Sequence, residues 1–133
     1  MISKLIDNHS KSSKYNKIKW IGIYNQEAHD TKIWPVALDG ALPPTFNNED
    51  RIANLNQVLT RYPGLKKMEW FTDIPHNKFY HVGGSFNQYF NAWPHRYFVV
   101  HNNALVFRTE FHIDPKTKEK YINLNDLTEF LEI

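Results

Sequence analysis

The stretch "RYFVVHNNALVFRTEF", residues 96–111, limits the fold more than any other. Two apolar, β-rich runs flank Asn102-Asn103. Asparagine tolerates the positive φ of a tight two-residue turn, so the spacing predicts a β-hairpin. Trp93-Pro94 lies just upstream, and the polar "DPKTKEK" loop follows. The chain then closes on "NLNDLTEFLEI", where Asn123 can cap a helix. Leu124, Leu127, Phe130 and Leu131 form its apolar stripe. A hairpin followed by one amphipathic helix must find the rest of its core upstream.

Upstream, helical and strand patterns alternate. Ile2, Leu5, Ile6 and His9 recur at helical spacing. "HSKSSKYNK" breaks that pattern, and "IKWIGIY" reads as a strand covered on both faces. "EAHDTKIWPVALDGALPPTF", with Pro35, Pro43 and Pro44, is a loop of a length usually reserved for function or interaction. Asn47 or Asn48 can then cap a helix whose first turn holds Glu49 and Asp50. Its predicted buried face is Ile52, Leu55, Val58, Leu59 and Tyr62, and Pro63-Gly64 ends it. "MEWFTD" is a short strand. "SFNQYFNAW" is a helix with Phe86, Tyr89, Phe90 and Trp93 on one face, suited to core or interface. The order predicts an α/β domain with a mixed sheet flanked by helices. A thioredoxin-like fold ends in this way, with a proline entering a core strand; other small α/β domains fit the pattern equally. In the thioredoxin-like case Trp93-Pro94 is expected to be cis.

Composition narrows the function classes. A chain of 133 residues predicts a single domain, 1–133. The absence of cysteine removes disulfides, thiolate ligands and thiol nucleophiles together. A net charge of +2 is too mild to point to nucleic acid, and the lysines near the N-terminus read as a solvated loop. No apolar run approaches the ~20 residues of a membrane span. Neither a signal-peptide core nor an arginine-rich transit pattern is evident at the N-terminus. The seven histidines lack zinc-site spacing, so no metal is expected. "HVGGS" lacks the lysine and leading strand of a phosphate loop, and no cofactor is expected.

Four ordered motifs carry a family resemblance. "IGIYNQEAHDTKIW" supplies Ile23, Tyr24, Glu27, Ala28, His29 and Trp34. "NNEDRIANLNQVL" supplies Asp50, Arg51 and Ala53, "EWFTD" supplies Asp73, and "WPHRYFVV" supplies Pro94, Arg96 and Tyr97. Together they resemble the iodothyronine deiodinases, thioredoxin-like enzymes that remove iodine from a phenolic ring with a selenocysteine or cysteine nucleophile. The resemblance implies that Glu27 and His29 lie beside the nucleophile position. It also departs from the family. The nucleophile, its strand, a second histidine near the next helix and the family's membrane anchor have no counterpart here.

The resemblance therefore implies a thioredoxin-like domain lacking its first core strand. Glu27, His29, Trp34, Pro94 and Arg96 would form a vestigial pocket. With no catalytic residue, the expected role is a non-catalytic accessory or structural subunit of a larger assembly, by analogy a mitochondrial respiratory complex. One alternative is part of a split redox enzyme whose nucleophile sits on another chain. The other is a free cytosolic adaptor. In the thioredoxin-like arrangement, Ile21 and Ile23 on one strand and Phe98 and Val100 on another would border the missing strand. They are the expected interface for other protein subunits, with a strand supplied by another chain.

Overall fold

A computed structural model describes residues 2–11, 17–26, 41–74, 85–92 and 95–132. The fold is mixed α/β. Its contacts divide it into two compact units, Met1–Pro94 and His95–Ile133. Among the described residues, the strands pair as three two-stranded ladders, one parallel and two antiparallel.

The first unit contains α1 (Ile2–Ser10), β1 (Ile21–Tyr24), α2 (Asn48–Arg61), a 3₁₀ turn (Pro63–Lys67), β2 (Glu69–Thr72) and α3 (Ser85–Phe90). β1 and β2 run parallel, with Ile21 opposite Glu69 and Ile23 opposite Phe71. α1 buries Leu5, Ile6 and His9, and the His9 ring lies 5.9 Å from that of Trp20. Asp7 pairs with Lys67 across to the 3₁₀ turn.

α2 begins as its sequence predicts. The Asn47 side chain accepts from Asp50 N at 2.8 Å, and Asp50 accepts in return from Phe46 N at 3.0 Å. This is the reciprocal logic of a capping box. Its buried face differs from the predicted one. Arg51, Asn54 and Leu55 are buried, whereas Ile52 and Tyr62 are exposed. The reason is the preceding segment, which lies on the polar side of the helix. Arg51 Nε donates to Thr45 Oγ1, and Asn54 Nδ2 donates to the Pro43 carbonyl. Buried polar groups that find such partners hold a loop as firmly as apolar contact does.

The second unit contains β3 (Phe98–His101), β4 (Ala104–Arg108), β5 (Phe111–Ile113), β6 (Lys120–Ile122) and α4 (Leu124–Glu132). The β3–β4 hairpin turns at Asn102 and Asn103, with φ of 49° and 61°, as the sequence predicts. Val106 is the extra residue of a bulge: Val99 faces Phe107 while Val100 faces Leu105. The predicted second apolar run is split. Thr109, buried, exchanges bonds with Tyr97 through its N–H and Oγ1, which closes the β3–β4 ladder. After Glu110 the chain starts β5, which pairs with β6, a strand not expected from the sequence, where only Lys120 fell in the predicted polar loop. α4 lays Leu124 and Leu127 into the core and stacks Phe130 on Phe107 at 4.6 Å. His112 Nε2 meets Asp126 Oδ2 at 2.6 Å, joining β5 to α4.

The β5–β6 turn is built on Asp114, whose carboxylate accepts from Lys116 N at 2.7 Å and Thr117 N at 2.8 Å. Those backbone amides hold its pKa below the usual carboxylate value. A group with a depressed folded pKa contributes above its unfolded pKa and loses its contribution as pH falls through the folded one. The turn is therefore expected to be intact at neutral pH and to loosen below the ordinary carboxylate range. Amide resonances of Lys116 and Thr117 should move together in an acid titration, and Asp114→Ala should abolish that transition. Unchanged titration in the variant would assign the transition elsewhere.

Candidate functional site

The parallel ladder has two unlike faces. Gly22 and Trp70 share one face, and the Trp70 ring lies where a Cβ on residue 22 would be. Glycine is required there by that close approach. Trp70 Nε1 donates to the Leu65 carbonyl of the 3₁₀ turn, and Thr72 bonds Asn48 at the start of α2. This face is covered.

Ile21, Ile23 and Phe71 share the other face, by the two-residue alternation of strands. Ile21 is 48% exposed and Phe71 50% exposed. At the C-terminal end of the strands this face opens into a groove of about 440 Å³. Ile23, Phe71, Ile74, Phe86, Tyr89 and Phe90 line it. Ile74 is 59% exposed and Tyr89 85%. Phe86 stacks on Phe90 at 4.6 Å, which fixes one wall. Asp73 positions that wall. Its buried carboxylate accepts from Phe86 N at 3.0 Å and Asn87 N at 2.9 Å, while its own N–H donates to the Tyr24 carbonyl. One side chain thus joins both strand ends to α3.

Among the described residues, the ladder has an edge with no strand paired to it. The carbonyls of Trp20 and Tyr24 accept from Glu69 and Asp73. Backbone groups alternate in direction along a strand. Gly22 and Tyr24 therefore turn theirs toward β2, and Ile21 and Ile23 turn theirs away from it. Among the described residues, β1 has no strand neighbour other than β2.

The residues singled out from sequence are placed unequally. Glu27, His29, Trp34 and Pro94 lie outside the described residues, as do His76, His81, the "HVGG" segment and the Trp93-Pro94 bond. Arg96 belongs to the second unit. Its side chain is buried, its guanidinium stacks 4.6 Å over the Phe111 ring, and Glu110 is 3.6 Å away. Glu110 also pairs with Arg108. Phe98 and Val100 sit on β3, with Val100 65% exposed. Partial burial pushes the His95 imidazole down and the Tyr97 phenol up from their ordinary pKa values. Among the described residues, no group of three or more His, Asp or Glu could hold a metal ion, and no helix is long and apolar enough to cross a membrane.

Sequence reasoning missed Phe71 and Ile74 as exposed surface. Adjacent Trp70 and Phe71 in "EWFT" point to opposite faces of a strand, and the sequence does not say which face is covered. Compared with family models, curated proteins and solved structures, the chain finds no match.

Proposed function

We propose that the chain is a non-catalytic, thioredoxin-like protein related to the deiodinases that serves as an accessory subunit of a larger protein assembly, with a mitochondrial respiratory complex as candidate host. The observation that carries the reading is the apolar surface formed by Ile21 and Phe71 on one face of a parallel ladder, with Ile74 and Tyr89 beside it. Parallel strands are normally covered on both faces, so such a surface is a place for a partner. Aromatic side chains are the residues that most often anchor protein interfaces. The lack of any cysteine supports a non-catalytic role, since redox and dehalogenation chemistry on this fold uses a thiolate or selenolate.

The test is purification of the tagged chain at native abundance, with mass spectrometry of what accompanies it. A stoichiometric set of subunits is expected, lost in a Phe71→Asp, Tyr89→Asp double variant that retains the wild-type melting profile. A monomer in native extracts, or an assembly indifferent to the double substitution, would count against the reading. So would thiol-oxidoreductase or dehalogenase turnover by the purified chain that disappears with Glu27→Gln or His29→Ala.

A further inference from the structure

We propose that Glu110 is a two-position counter-ion, held by the exposed Arg108 in this structure and able to move onto the buried Arg96, so that the charge on Arg108 sets how firmly the base of the β3–β4 hairpin closes. Glu110 and both arginines lie in the second unit, so this device is separate from the groove of the first. The three side chains meet where the hairpin ends and β5 begins. Tyr97 and Thr109 are bonded to one another there, and Arg96 and Glu110 are the next residues outward on each strand.

Arg96 is fixed in place and short of partners. Its side chain is 5% exposed, and its guanidinium carbon lies 4.6 Å from the centre of the Phe111 ring. Its Nε and Nη1 are buried and make no hydrogen bond. Glu110 Oε2 is 3.6 Å from Nη1, near enough for charge attraction and too far for a hydrogen bond. Glu110 Oε1 instead accepts from two nitrogens of Arg108, Nε at 2.9 Å and Nη2.

Exposure decides which partner has the stronger claim. The Arg108 side chain is 43% exposed and that of Glu110 62%. A pair between two exposed side chains contributes little, since water competes and both lose freedom. A buried guanidinium whose donors lack an acceptor carries a larger cost, so an acceptor brought to it has a larger effect. Glu110 is the member free to move, and a shift of roughly 0.7 Å would bring Oε2 within hydrogen-bond distance of Nη1. The pull of Arg108 opposes that shift. Engaging Arg108 elsewhere, or removing its charge, therefore releases Glu110 to Arg96. The new bond would tie the strand entering β3 to the strand leaving β4, beside the Tyr97–Thr109 bonds.

A double-mutant cycle on the full chain separates this device from an ordinary surface pair. The readout is hydrogen exchange at the Tyr97 and Thr109 amides, which bond across the hairpin base, and at Arg96 Nε–H. Arg108→Gln should slow all three by roughly threefold or more. Glu110→Gln should accelerate them by roughly tenfold, and at least as strongly in the Arg108→Gln background, where the carboxylate serves Arg96 alone. Arg108→Lys keeps the charge without the two-nitrogen grip and should fall between wild type and Arg108→Gln; it stands in should the glutamine variant fold poorly. An ordinary surface pair gives the opposite pattern: both single variants accelerate exchange slightly and equally, and Glu110→Gln adds nothing once Arg108 is replaced. That pattern overturns the proposal. Exchange at wild-type rates or faster in both Arg108 variants overturns it as well.

Discussion

Gly22→Val is expected to destabilise the first unit by about 3 kcal/mol or more, the upper range for forcing atoms into a filled site. A Cβ on residue 22 would stand 2.6 Å from Trp70 Cδ2 and closer still to Cε3, far inside van der Waals contact. The indole cannot simply swing away, because its N–H donates to the Leu65 carbonyl at 2.8 Å. Moving it would leave that carbonyl short of a donor and pull at the turn under α1. Three kilocalories is a large share of the ~5–15 kcal/mol that holds a domain together, and corresponds to roughly 12–24 °C in Tm for a unit of this size. Tryptophan fluorescence is the appropriate measurement. Trp20, Trp34, Trp70 and Trp93 all fall within Met1–Pro94, so the signal reports that unit. A fluorescence melt unchanged from wild type would show that the ring relocates at little cost.

Asp73→Ala should release α3 and with it the groove wall. The carboxylate satisfies two backbone donors at the start of a six-residue helix. A helix that short has little stability of its own. Hydrogen bonds to a charged acceptor are worth about 1.5–3 kcal/mol each, and the two amides would lose theirs together. A loss of roughly 2–4 kcal/mol, concentrated at α3, is expected. Amide exchange at Phe86 and Asn87 should accelerate strongly, with Gly22 in β1 much less affected. Asp73→Asn keeps one acceptor oxygen and should retain part of the protection. Equal behaviour of the alanine and asparagine variants would contradict the two-bond account.

The parts of the fold that were legible in sequence are those fixed by near neighbours. The Asn102-Asn103 turn, the Asn47 cap and the Leu124–Leu127 stripe each depend on residues within a few positions of one another. The buried face of α2 was not legible. Arg51 and Asn54 are polar, and only contact with Thr45 and Pro43 makes their burial favourable. β6 was hidden for a similar reason: three residues, Lys120–Ile122, carry too weak a pattern to stand out from the loop beside them. The candidate site divides in the same way. Ile21 and Ile23 were recognisable as strand residues, but the direction of their backbone groups follows from pairing with Glu69 and Phe71, far along the chain. Asp73 was visible as the end of a strand, and its hold on α3 was not.

The parallel pairing of β1 with β2 also bears on the order in which the molecule assembles. β3 and β4 can close as soon as both have been synthesised, since only two residues separate them. β1 must wait for the whole of α2 and the 3₁₀ turn before its neighbour exists. Contacts so distant in sequence form slowly, because a long loop must be closed before they yield anything. During translation, "IGIY" therefore remains an unpaired apolar strand longer than any other of the described strands. That interval exposes it to aggregation and is when protection by a chaperone, or early capture by another chain, would have the greatest effect on yield.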